Sequence, residues 1–208
     1  MTKIVFIGPQ ASGKGTQAKI LSQNLNIPHI SMGDLLREIE GELKEQTHKL
    51  MNQGKMIPDD LTLKIIKERI EKPDCNNGFI LDGFPRNINQ ANLLKNILKI
   101  DKIIEITLSD EEAIKRISGR VTCKDCKEGF NTLTAPKPKK ENICDICEGE
   151  LIKRADDNEE AVKKRLEIYH KDTEPILTEY NNQGIDILKI NGEQTIEKIS
   201  QDIKEKVN

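Results

Sequence analysis

Tryptophan is absent from this 208-residue chain, and neither sign of charge dominates, with 33 lysines and arginines against 35 aspartates and glutamates. A balance this even gives no global field to recruit nucleic acid or a membrane surface. No apolar run approaches the length needed to span a bilayer, and the first residues carry neither a basic flank nor a small-residue cleavage site. The expectation is a cytoplasmic protein with no membrane partner. Internal repeats and low-complexity tracts are also lacking. The length allows one substantial core with small insertions, and burial requires no second subunit.

What is present begins with Gly8-Pro9-Gln10-Ala11-Ser12-Gly13-Lys14-Gly15-Thr16, which follows the apolar run Ile4-Val5-Phe6-Ile7 and precedes a helical pattern. A glycine-rich turn alone is usually only a turn. Between a strand and a helix it becomes a phosphate-binding loop: the backbone curls until successive N–H groups point at phosphate oxygens, and the helix adds its positive dipole end. Lys14 then supplies a mobile charge for the β and γ phosphates. Here Gly15 separates the lysine from Thr16, whereas the general motif places the magnesium-holding hydroxyl directly after the lysine.

Apolar runs recur at Ile4 to Ile7, Phe79 to Leu81, Ile103 to Leu108 and Ile185 to Ile190, separated by helix-like patterns. Strands alternating with helices predict an α/β fold with a parallel sheet. Helices are expected from Thr16 to Leu25, from Pro58-Asp59 along Leu61, Ile65, Ile66 and Ile70, and from a capping box at Ser109 to Glu112 toward Arg120. Two more are marked by Val162, Leu166 and Tyr169 before Pro175, and by Ile196, Ile199, Ile203 and Val207. These stripes are core-facing sides.

Residues 119–157 break the rhythm and read as an inserted subdomain holding four of the five cysteines. Cys123-Lys124-Asp125-Cys126 and Cys144-Asp145-Ile146-Cys147 form two knuckles whose thiolates can close a tetrahedral zinc site. With all four positions filled, such a zinc is structural and supplies folding free energy that so small an insertion lacks. Disulfides or redox pairs are the competing reading, disfavoured in a cytoplasmic chain. Cys75 reads as an ordinary semi-buried thiol. A nucleic-acid-binding ribbon using Lys137, Lys139 and Lys140 is a further alternative, but Phe130 is the lone aromatic there, and the lysines read as a solvated hairpin tip.

A third cluster, Phe79-Ile80-Leu81-Asp82-Gly83-Phe84-Pro85-Arg86, ends a buried strand in an aspartate suited to organising Mg2+ beside a phosphate loop. Pro85 fixes the chain where the Arg86 guanidinium must be aimed. Ser31-Met32-Gly33-Asp34-Leu35-Leu36-Arg37 again sets glycine, acid and arginine near a helix start.

Together these motifs resemble the adenylate kinases, specifically the long form with a zinc-bearing lid, over essentially the whole chain. The resemblance implies reversible phosphoryl transfer from ATP to AMP, giving two ADP. It implies a P-loop core with a five-stranded parallel sheet flanked by helices (1–30, 58–118 and 158–208), an AMP-binding part at 31–57 and a zinc-ribbon lid at 119–157. By the same resemblance, Ala11, Ser12, Gly13, Lys14, Gly15 and Thr16 hold the ATP phosphates, and Asp82 acts through Mg2+. Arg116 lies against the ATP adenine and Arg120 on its phosphates, with weaker contacts at Gly129, Phe130 and Gln194. Arg37 and Arg86 bind the AMP phosphate, and Gln90 reads its adenine. Met32, Lys55, Met56, Ile57, Gly83, Phe84 and Pro85 complete that subsite, and Arg154 and Arg165 swing onto the transferred group. Met32 and Asn87 stand where threonine is common in the family, so a UMP/CMP kinase remains the alternative. A monomer is expected.

The residues suit the chemistry. Phosphoryl transfer spreads negative charge over equatorial oxygens, so positioning and preorganised positive charge replace a covalent nucleophile. Lys14, Asp82, Arg86, Arg120, Arg154 and Arg165 are the expected catalytic set.

Overall fold

The computed structural model describes residues 2–41 and 43–207. Five parallel strands form the central sheet: β1 (Thr2–Ile7), β2 (His29–Ser31), β3 (Gly78–Asp82), β4 (Lys102–Thr107) and β8 (Asp186–Asn191), in the order β2-β3-β1-β4-β8. The first run, Thr2–Ile7, lies at its centre, and alternation along it divides the core in two. Ile4 and Phe6 face helices α1 (Lys14–Leu25) and α9 (Ile196–Val207), packing with Ala18, Leu21, Ile199 and Ile203. Val5 and Ile7 face the other way, onto Ile66 of α4 (Asp59–Ile70), Leu94 of α5 (Ile88–Lys95), and Ile176 and Tyr180 of α8 (Pro175–Asn182). Both faces are covered, which is why the strands read as continuous apolar runs.

Register aligns the carboxyl ends of the strands. Phe6 and Ser31 both pair with Asp82, and Thr107 pairs with Asn191. In open parallel sheets this edge is where ligands bind.

The outer elements are α2 (Met32–Arg37) and α3 (Leu43–Asn52) on one side of that edge. On the other lies a small antiparallel sheet of β5 (Arg120–Cys123), β6 (Gly129–Asn131) and β7 (Leu151–Ile152), in the order β6-β5-β7. It hangs between α6 (Asp110–Ser118) and α7 (Glu159–Ile168). Its apolar cluster is only Val121, Cys123, Phe130, Cys144 and Leu151.

The structure adjusts several expectations. The strand His29–Ser31 carries no apolar run and was not expected from pattern. The capping box at Ser109 is half formed: the serine hydroxyl accepts from Glu112 N–H, but Glu112 pairs forward with Lys115 and Arg116, and Ser109 N–H donates to Glu193 instead. Forward pairing at i+3 and i+4 gives the carboxylate two cations in place of one amide. The stripe before Pro175 is the helix α7, which carries Val162 and Leu166, running into a π-turn at Tyr169–Thr173 that joins it to α8. Lys137, Lys139 and Lys140 are exposed, at a strand-poor stretch closed by the Lys140–Ile143 bridge.

Candidate functional site

One cleft of about 1070 Å³ opens along the carboxyl edge of the sheet. Its floor is the loop between β1 and α1. Gly8 is obligatory there, because a Cβ would sit 2.3 Å from the carbonyl oxygen of Ile106. The loop tip is pinned sideways: Gln10 Nε2 donates to Val162 O at 2.7 Å, and Ala11, at φ 58, packs against the cluster of Ala113, Ile117, Val162 and Leu166. Ser12, Gly13, Gly15 and Thr16 line the cleft along with Ala11.

Lys14 folds back, donating to the carbonyls of Gly8 and Pro9 at 2.7 Å each. Burial lowers its pKa to about 8; the neighbouring Asp82 works against this, and Arg86 and Arg120 add to it. Asp82 ends β3 with His29 Nε2 3.6 Å from its carboxylate, a separation that leaves the imidazole nitrogen without a formal hydrogen-bond partner. Burial opposes ionisation of Asp82, yet His29, Lys14 and Arg86 hold it below the ordinary carboxylate value.

Arg86 follows the turn after β3. Gly83, at φ 76, lets the guanidinium lie across the backbone, since a Cβ there would come within 3.1 Å of Arg86 Nη2. Nε donates to Gly83 O, and Arg86 N–H donates to Gln90 Oε1, both at 2.8 Å. Burial and the nearby Arg165 depress its pKa.

The other expected arginines converge from three elements and the segment between β7 and α7. Arg37 of α2 reaches Asp34 at 2.9 Å and Asp156 at 3.3 Å. Arg165 of α7 donates to Asp156 at 2.6 Å and to Met51 O at 3.0 Å. Arg120 opens β5 and binds Asp157 through two nitrogens, Nε at 2.8 Å. Among the described residues Arg154 donates only to Thr122 Oγ1, at 2.9 Å, and burial with Arg120 and Arg37 nearby lowers it to about 10. Asp156 is the counterweight: although burial opposes its charge, Arg165 and Arg37 hold it at about 2. Among the described residues, Lys14, Arg86 and Arg154 form no ion pair. A cleft holding buried cations with no carboxylate in direct contact suits an anionic ligand.

All the remaining expected nucleotide residues line this same cleft: Arg116, Gly129, Phe130 and Gln194 toward the small sheet, and Met32, Lys55, Met56, Ile57, Phe84, Pro85 and Gln90 toward α2 and α4. Gln90 is buried, with Nε2 donating to Asp59 Oδ1 at 2.7 Å. Gln194 is tied to Asn191 O and Asp202, and Arg116 to Glu112. Sequence reasoning assigned no role to Asp156, Asp157, His29 or Thr173. The two aspartates were in view beside Arg154; the signal that could have found them is the need to balance so many guanidiniums.

The four lid cysteines meet, with their sulfurs all within 4.8 Å of one another. Cys123 and Cys147 are 3.4 Å apart, and Cys126 and Cys144 3.5 Å. A tetrahedral ion with metal–sulfur bonds of about 2.3 Å sets its sulfurs about 3.8 Å apart, so the quartet fits one. Burial opposes ionisation of Cys123, but amides of Cys126 and Asp125 lower it to about 7. Cys126 goes the other way, to about 12: the Glu128 amide favours its thiolate, and burial with the surrounding sulfurs outweighs it. Four thiols this close need a cation to ionise together.

Comparison with known proteins agrees with the geometry. The family described as adenylate kinase matches residues 6–185. An adenylate kinase of Caldicellulosiruptor saccharolyticus is 43% identical over 210 residues, covering 97% of each chain. One from Streptomyces coelicolor is 45% identical over 191 residues, 88% of each chain. One from Archaeoglobus fulgidus is 42% identical over 209 residues, 97% of this chain and 95% of its own.

Proposed function

The chain belongs to the adenylate kinase family, and on that premise we propose that its cleft holds ATP and AMP together and moves the terminal phosphoryl group between them, giving two ADP. The observation that carries this reading is the set of cations without ion-pair partners, Lys14, Arg86 and Arg154, converging on a phosphate-binding loop. The loop backbone from Ala11 to Thr16 and Lys14 receive the donor phosphates, with Arg116, Arg120, Gly129, Phe130 and Gln194 along the rest of the donor. Arg37 and Arg86 take the acceptor phosphate, and Met32, Lys55 to Ile57, Gly83 to Pro85 and Gln90 surround its base.

Arg154 and Arg165 reach the group in flight, where they offset charge on its equatorial oxygens. Asp156 and Asp157 hold Arg37, Arg120 and Arg165 until phosphates replace them. Thr16 and Asp82 are the residues that would hold Mg2+, which supplies charge neutralisation between the β and γ phosphates. Cys123, Cys126, Cys144 and Cys147 would hold a structural zinc in the lid. Residues 31–57 and 119–157 are the two parts that close over the core at 1–30, 58–118 and 158–208, and closure keeps water from the phosphoryl group. No described helix is long and apolar enough to cross a membrane; a monomer in the cytoplasm completes the reading. The relatives named adenylate kinase do not favour the UMP/CMP kinase alternative.

The test is ADP formation with ATP, AMP and Mg2+. Production should require both nucleotides, and Arg86→Ala should lower kcat/KM for AMP by about a hundredfold or more, the cost of losing a charged donor in a dry site. Equal turnover without AMP would overturn the reading.

A further inference from the structure

Between α7 and α8 the chain leaves α-helical geometry. Over Tyr169–Thr173 it widens into a π-turn, closed by Glu174 N–H donating to Tyr169 O at 2.8 Å. Pro175 gives the cause: with no N–H and a ring that crowds the preceding turn, it cannot continue an α-helical ladder through residues 171–175. A widened turn rotates the chain beyond it, and such turns recur at functional sites.

Here the turn delivers one side chain to the cleft. Thr173 is buried, lines the nucleotide site, and donates through Oγ1 to the carbonyl oxygen of Arg86 at 2.7 Å. The other hydrogen bonds of Arg86 run to Gly83 and Gln90, within its own stretch of chain. Among the described residues, Thr173 is thus the one hydrogen-bond partner that fixes Arg86 from outside that stretch. Its segment continues directly from α7, which carries Arg165. The hydroxyl therefore ties the helix bearing one guanidinium to the loop bearing the other.

We propose that Thr173 is a positioning residue for phosphoryl transfer, holding the Arg86 main chain so that its guanidinium meets the acceptor phosphate. The proposal rests on Arg86 being a ligand of that phosphate. Neither Gly83 nor Gln90 restrains the Arg86 carbonyl, so loss of the hydroxyl frees that end of the residue. Small displacements of a charged group in a closed site cost about tenfold to a hundredfold in rate.

The experiment measures kcat and KM for each nucleotide, with melting temperature, in the intact enzyme carrying Thr173→Val, Thr173→Ser or Arg86→Ala. Thr173→Val keeps the shape without the hydroxyl and should lower kcat/KM for AMP by about tenfold or more, with KM for ATP within about twofold of the parent. Thr173→Ser restores the hydroxyl and should recover AMP kinetics to within about threefold, a rescue that shape alone would not give. Should Thr173→Val fail to fold, Thr173→Ala takes its place. Parent-like AMP kinetics in the variant lacking the hydroxyl, a serine variant as impaired as valine, or equal losses for both nucleotides would overturn the proposal. Arg86→Ala separates the failures: if it is impaired and Thr173→Val is not, the positioning role alone falls. If Arg86→Ala retains its AMP kinetics, the reading of Arg86 falls and the proposal with it.

Discussion

Lys14 lies deep enough that burial, with Arg86 and Arg120 nearby, outweighs Asp82 and brings its pKa to about 8. The unfolded lysine titrates at 10.5. Between those values the unfolded chain binds more protons than the native one, so this group adds stability as pH rises through that window and weighs against folding below it. On the proposed reading, donor phosphates reverse the balance by favouring the charged amine. The kcat/KM for ATP, which reports the free enzyme, should therefore fall about tenfold per pH unit above about 8, while kcat holds to higher pH. Lys14→Met should lower turnover by about a thousandfold without lowering the melting temperature at pH 7. A pH profile flat to 9.5 would show that loss of a proton from this amine near pH 8 does not control ATP capture. Lys14, Asp82 and Arg86 were legible because glycine and proline beside them announce their geometry. Thr173 was not, because it acts on Arg86, 87 positions away, and Asp156 was not, because it joins Arg165 to Arg37, which lies 119 positions back in the chain.

At the scale of elements, the buried parallel strands were legible as apolar runs, since helices cover both faces of the sheet. The strand His29–Ser31 escaped because it is three residues long, with polar ends that serve the cleft. The lid sheet escaped for a related reason: strands of two to four residues show no period, and what orders them is the cysteine quartet, which was legible by spacing. That division predicts how the lid fails. Its apolar cluster is five residues, two of them cysteines, too few to offset the entropy of ordering the insertion. On the proposed reading of a zinc held by the four cysteines, chelating it, or replacing Cys144 with serine, should unfold the lid and lower the melting temperature by about 10 °C, the shift that a few kcal/mol produces in a chain of this size. The core sheet should persist as a separate calorimetric transition, with donor affinity lost. An unchanged melting curve after the metal is shown to be gone would mean that the lid folds on packing alone.

Across the whole molecule, the sheet brings α2, the loop after β3, α4 and α5 together along the cleft, and at their meeting point the amide of Gln90 is oriented from two directions. Arg86 N–H can only donate and meets Oε1, while the Asp59 carboxylate can only accept and meets Nε2. Asn87 and Asn89 also donate to Asp59; with Gln90 they hold its carboxyl below the ordinary value, against the effect of burial. Thr62 Oγ1 takes the amide's other hydrogen at 3.4 Å, which leaves Oε1 with the one unused site, a lone pair. An acceptor locked in place welcomes a base bearing an exocyclic amino group and opposes one bearing a carbonyl oxygen there. On the proposed reading of Gln90, AMP should exceed IMP and GMP in kcat/KM by about a hundredfold or more, and CMP should exceed UMP, because the mismatched pairs leave buried oxygens facing each other. Asp59→Ala removes one side of the lock and lets the amide turn, so the AMP-to-IMP ratio should drop by about tenfold with KM for ATP unchanged. If IMP rivals AMP in the parent enzyme, Gln90 does not read the base. If the ratio survives Asp59→Ala, Arg86 alone sets the amide, and the acceptor's selectivity resides in the loop after β3.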